Sequence, residues 1–136
     1  MANLSKSKYI TYCQCPKALW LKQYKPEEMV IDPLTQARFD AGTEVGELAK
    51  RLFGNFVEAT TYKTAADETQ RLDLGAMAAA TQKALAEGAE NIAEAAFIYD
   101  GCYCAVDLLH KTPHGYAIYE VKSSTDLKEL EVYAQD

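Results

Sequence analysis

Three apolar runs, residues 92–99, 102–109 and 116–121, are separated by Asp100-Gly101 and, after His110-Lys111, by Thr112-Pro113-His114-Gly115. Asp-Gly between apolar runs is among the strongest short-range hairpin signals, because both central residues tolerate positive φ. Connections this short join antiparallel neighbours, so the spacing predicts a meander of three antiparallel strands. Charges interrupt these runs: Asp107 sits between Val106 and Leu108-Leu109, and Glu120 and Lys122 flank Val121. A buried strand accepts a charge when that charge is paired or holds a metal.

The N-terminal half has the helical period instead. Leu4-Ser5-Lys6-Ser7 offers a helix cap, with Tyr9, Ile10, Tyr12 and Cys13 at helical spacing after it. Cys15-Pro16 breaks and restarts the helix, since proline suits a first turn. Lys25-Pro26 closes a helical hairpin over residues 1–30. A second helix is expected from Asp32-Pro33 to about Phe53, where Gly54-Asn55 stops it. A short strand is expected over 56–62, and a third helix over 65–89, which is rich in Ala, Glu, Gln and Leu. The expected fold class is α/β (α+β), a helical N-terminal half followed by an antiparallel three-stranded sheet. At 136 residues the chain suits one domain, with the core over 31–136. Residues 127–136 begin a further helix without a stop signal, so the chain is expected to be the front part of a longer polypeptide.

Hydrophobic content of 49% and charged content of 25% are ordinary for a soluble domain. The first residues lack a signal-peptide core and no apolar stretch approaches a membrane span, so a cytoplasmic protein without a membrane partner is expected. The net charge of −6 argues against a nucleic-acid partner, but its distribution argues the other way. Residues 1–25 carry five lysines and no acid. Such a segment fits a phosphate-facing edge, and equally a helical surface with lysines outward. The cysteines form two Cys-x-Cys pairs, Cys13/Cys15 and Cys102/Cys104. Structural zinc sites favour Cys-x-x-Cys, so a zinc module ranks behind plain packing.

If the second turn pairs His110 with Tyr116, Asp107 lies across from Tyr119, and a shift of one residue brings it to the face shared by Glu120 and Lys122. Two carboxylates a few ångströms apart repel unless a cation separates them, and Mg²⁺ or Mn²⁺ accepts such oxygen ligands. The expected chemistry is metal-assisted phosphodiester hydrolysis, with Lys122 orienting the attacking water or neutralising the transition state. The plainer reading is a Glu–Lys pair decorating an exposed sheet face. Trp20 fits hairpin packing or base stacking, and the nine tyrosines look scattered rather than gathered into a platform. His110 and His114 flank a turn and are expected to be exposed.

Four stretches together resemble the RecB-like branch of the PD-(D/E)XK nuclease superfamily, which includes the CRISPR-associated RecB-like exonuclease. They are Leu4 to Tyr9 with Cys15-Pro16-Lys17-Ala18-Leu19-Trp20-Leu21; Gly42-Thr43-Glu44-Val45-Gly46-Glu47-Leu48; the Asp107 strand; and Glu120-Val121-Lys122-Ser123-Ser124. The resemblance implies a restriction-endonuclease-like core, truncated at its C-terminal side, acting on DNA as single strands or duplex ends. It makes Asp107, Glu120 and the main-chain carbonyl of Val121 ligands of Mg²⁺ or Mn²⁺, and Lys122 the catalytic lysine. The branch's helix ligand falls on Gly46, which cannot ligate, leaving Glu47 or Glu44 as substitutes. Lys6, Lys8 and Lys17, with Ser123 and Ser124, are the candidate nucleic-acid contacts. Cys15 matches an iron–sulfur ligand whose three partners would lie in a longer chain. The branch's Gln-x-x-x-Tyr helix follows the lysine, and Tyr133-Ala134-Gln135-Asp136 is expected to stop at or just before it. The departure at Gly46 keeps open a second class of function, a catalytically impaired module of the same fold that binds nucleic acid or a protein.

Overall fold

The chain enters the fold through a two-residue strand, β1 (Leu4–Ser5), and Ser5 then caps α1 (Lys6–Gln14), its Oγ accepting the Lys8 N–H at 3.2 Å. In this computed structural model, residues 4–66 and 68–124 are described. Cys15 ends α1 in extended geometry and Pro16 opens α2 (Pro16–Tyr24), followed by a short 3₁₀ turn at Pro26–Glu28. The helical hairpin is thus as expected. Asp32 caps α3 (Pro33–Ala49), its Oδ1 accepting the N–H groups of Leu34 and Thr35, both at 3.0 Å. This helix is shorter than expected, because residues 50–53 continue only as turns.

The strand expected over 56–62 contracts to β2 (Val57–Glu58). The helix expected over 65–89 is a larger departure. Its first part forms a hairpin, β3 (Tyr62–Thr64) against β4 (Gln70–Leu72), and α4 (Leu74–Ala86) starts only after Asp73. Asp73 caps α4 through Oδ1 and donates its own N–H to the Thr61 carbonyl at 2.8 Å, tying the helix start to the hairpin. Ladder bonds and the cap outweigh helix propensity, which is a weak preference of tenths of a kcal/mol per residue, about 0.7 at most for ordinary residues.

The meander follows as β5 (Asn91–Tyr99), β6 (Cys102–Thr112) and β7 (Gly115–Tyr119). Asp100 and Gly101 both take positive φ, 45° and 74°, as the hairpin turn demands. The sheet is not three-stranded and antiparallel, however. It is a mixed sheet of five strands, because β1 pairs in parallel with β6 and β2 in parallel with β5. Both added strands are two residues long, too short to carry an alternation legible in sequence. Overall the described residues form a mixed α/β unit with four α-helices. The helix expected over 127–136 lies outside the described residues.

The core sits between α4 and the sheet. Ala84 joins Ala59, Ile92, Ala95, Val106 and Leu109 in one buried cluster, with Ala80, Leu85, Ala89 and Tyr116 packed against it. Thr81 is fully buried on the same helix; its Oγ1 donates to the Met77 carbonyl at 3.0 Å and accepts the Ala96 N–H at 2.8 Å. Thr81→Val should keep the volume and orphan that N–H. A loss of about 2 kcal/mol in urea unfolding is expected, the cost of one unsatisfied buried donor.

Candidate active site

A cavity of about 760 Å³ opens between α3 and the sheet. Arg38, Gly42, Gly46, Glu47 and Lys50 line it from the helix side, Glu94 and Asp107 from β5 and β6, and Val121, Lys122 and Ser123 from the segment after β7.

Two local features aim the acids. The β5–β6 register runs Ala93↔Leu108 and Ala95↔Val106, which sets Glu94 opposite Asp107. Glu94 has φ of 54°, a left-handed conformation that costs a non-glycine residue about 1–2 kcal/mol. The core cluster takes Ile92 with Ala95 and Val106 with Leu109, three apart on each strand where plain alternation gives an even interval. The interruption at Glu94 lies inside the first interval, and Asp107 opposite it lies inside the second. The second turn pairs Lys111 with Tyr116 rather than His110, so Leu108 faces Tyr119 and Asp107 stands one step beyond the end of β7. There Asp107 Oδ2 accepts the Val121 N–H at 2.6 Å.

Glu120 is held elsewhere. Its carboxylate takes the Lys6 ammonium at 3.0 and 3.1 Å and the Lys122 ammonium at 2.8 Å, and it does not line the cavity. Lys6, expected as a phosphate contact, therefore serves here as a cross-link between α1 and the Glu-x-Lys segment. Glu44 and Ser124 are exposed and outside the cavity lining. Lys8 and Lys17 belong to the α1–α2 hairpin, and Cys15 is exposed at its junction.

Charge is concentrated around the helix side of the cavity. Lys50 Nζ reaches Glu47 at 2.8 Å and Glu58 at 2.9 Å. Burial alone would pull the lysine's pKa down, but those two hydrogen bonds and charges outweigh it and raise it. For Glu58 burial pushes up, while hydrogen bonds from Thr60 and Lys50 prevail and hold the carboxyl below its ordinary range. Glu94 goes the other way. Burial raises it, and the negative charges of Asp107, Glu58 and Glu47 add to that against the pull of Lys50.

A raised carboxyl means that the folded state holds the proton more tightly than the unfolded chain does. Glu94 therefore favours folding below the ordinary glutamate range and opposes it as pH rises through its folded value. Glu94→Gln should melt at a higher temperature than the parent at neutral pH, with the gap closing in acid. Thermal melts across that range check it.

The donors suit a hard divalent cation in type: the carboxylates of Asp107, Glu94 and Glu47, and a main-chain carbonyl at Val121. Burial is the first cause of the raised Glu94 carboxyl, and the charges of Asp107 and Glu47 add a repulsion of the kind a cation relieves. Among the described residues no three His, Cys, Asp or Glu side chains are gathered closely enough to hold an ion, the four cysteines included. Gly46 lines the cavity and a Cβ there would meet nothing within 4 Å, so the wall is open where the resembled branch places a ligand.

Glu94 was missed by the sequence reading, although the signal was present: an acid inside Ile92-Ala93-Glu94-Ala95-Ala96 meets the same criterion that singled out Asp107. His110, expected to be exposed, is half-buried and stacks on Phe53 with ring centroids 4.0 Å apart. Comparisons of the chain with protein-family models, curated proteins and solved structures each returned no match. No helix among the described residues is long and apolar enough to cross a membrane.

Proposed function

We propose that this chain is a metal-dependent nuclease domain of RecB-like, restriction-endonuclease-like type that hydrolyses phosphodiester bonds of DNA. The observation that carries the reading is a single cavity lined by Asp107, Glu94, Glu47, Val121 and Lys122. A Mg²⁺ or Mn²⁺ ion held by Asp107, Glu47 and the Val121 carbonyl, with Glu94 as further donor, would stabilise charge on the phosphate oxygens and favour deprotonation of water. Lys122 supplies a positive charge at the cavity wall, to neutralise the phosphate or orient the attacking water. Glu120 acts through Lys122: its carboxylate, 2.8 Å from that ammonium, sets where the charge stands. Asp107 has two duties, presenting one oxygen to the cavity region and anchoring Val121 through the other. Arg38 adds a second cationic group to the lining, suited to a phosphodiester backbone.

A second reading rests on specific features: Gly46 at the helix position, the Lys6–Glu120 ion pair and the spread of the acids favour a nuclease-fold module that binds without cutting. Labelled single- and double-stranded DNA incubated with Mn²⁺ separates the two. Cleavage by the parent that Lys122→Ala and Glu120→Ala both lose is the expected result. Equal cleavage by all three proteins would sink the nuclease reading, and salt-sensitive binding without cleavage would favour the second.

A further inference from the structure

The α1–α2 hairpin brings together rings that are separated in sequence. Tyr12 from α1 and Trp20 and Tyr24 from α2 line one open hollow of about 620 Å³, with Lys8 and Gln23 at its side. Trp20 and Tyr24 form a tilted pair with centroids 5.6 Å apart. All three rings stay half exposed or more, at 55%, 53% and 65% for Tyr12, Trp20 and Tyr24. Lys8 and Gln23 also border a second hollow beside the first, which Lys22 shares. Neither helix contains an acid, although the chain as a whole is acidic. Among the described residues no carboxylate pairs with Lys8, Lys17 or Lys22. The hairpin is also tied to the candidate site, since Lys6 at the start of α1 holds Glu120.

We propose that this face binds single-stranded nucleic acid, with bases stacking on Trp20, Tyr24 and Tyr12 and phosphates meeting Lys8 and Lys22. The proposal rests on the nuclease reading and deepens it by naming an unpaired strand as the form of substrate. Exposed rings offer a π-face to any base, and acid-free lysines suit a polyanion. An apolar protein segment would account for the rings but not for lysines without acids. A duplex would present its bases edge-on inside the helix, out of reach of the rings.

Fluorescence anisotropy in EDTA tests binding without cleavage, using an oligothymidylate strand and a duplex of equal length. The single strand should bind more tightly, and Trp20→Ala and Tyr24→Ala should each weaken it about tenfold, whereas Trp20→Phe retains a stacking face and most of the affinity. Lys8→Ala or Lys22→Ala should lower the salt dependence by about 0.7 in log–log slope per lost phosphate contact. Circular dichroism of each variant confirms that it folds. No binding, preference for duplex, or parent-like affinity of Trp20→Ala overturns the proposal, and a protein segment as the occupant predicts the first of these. A parent that binds the strand in EDTA but never cuts with Mn²⁺ removes the nuclease reading and leaves this surface standing. One that cuts while Trp20→Ala binds as the parent does removes this surface alone.

Discussion

Asp107→Asn is expected to lower Mn²⁺-dependent cleavage by at least about a hundredfold, the usual scale for removing one charge-stabilising group from a catalytic site. The substitution isolates charge from shape. Asparagine keeps an oxygen able to accept the Val121 N–H that Asp107 now accepts at 2.6 Å, so the segment carrying Lys122 keeps its anchor. What disappears is the negative charge opposite Glu94. Its loss removes one of the donors proposed for the cation and one of the charges that raises the Glu94 carboxyl. Thermal stability should therefore hold or rise while cleavage and Mn²⁺ binding by calorimetry both fall. Parent-like cleavage would remove Asp107 from the chemistry. A fall in stability matching the fall in activity would show that its role is structural.

Asn91→Ala is expected to cost about 3 kcal/mol in denaturant unfolding, about 1 kcal/mol for each of three hydrogen bonds. Asn91 is only 5% exposed at the start of β5. Its Nδ2 donates to the carbonyls of Phe53 at 3.1 Å and Asn55 at 2.8 Å, and its Oδ1 accepts from His110 Nδ1 at 2.7 Å. These bonds tie the turn after α3 to the sheet, and Phe53 reinforces them by packing on His110 and Tyr119. Because Glu47 lies in the last turn of α3 and Lys50 directly follows that helix, loosening this joint should also weaken the proposed Mn²⁺ binding in whatever protein remains folded. A stability change near zero would mean that the turn is held by its aromatic contacts alone.

The elements were legible where a local rule governs them. Ser5 and Asp32 cap helices because a short polar side chain satisfies the first free N–H groups, and Pro16 opens α2 because it has none to satisfy. The turn at Asp100-Gly101 follows from its own φ requirements. The hairpin within 62–72 was not legible, because a run rich in good helix formers yields to strand pairing that only a folded partner supplies. Nor was the pairing of β1 and β2 into the sheet, since two residues carry no period.

For the candidate site the division is similar. Residue types single out the candidates in advance: Asp107, Glu120 and Lys122 stand out because charges in apolar runs demand a partner. Which partner each one takes was decided by register and by the kink at Glu94. A one-residue difference in the β6–β7 pairing, with β7 ending at Tyr119, gives Asp107 to the Val121 N–H and Glu120 to Lys6 and Lys122. The positive φ at Glu94 sets a second acid across from Asp107, and the turn after α3 brings Glu47 to the same cavity. Helix caps, turns and the three-strand meander were determined by the sequence alone, because each depends on neighbours a few residues away. The five-stranded mixed sheet and the acid-lined cavity were decided by tertiary structure, because each joins residues whose contact depends on the packing of distant segments.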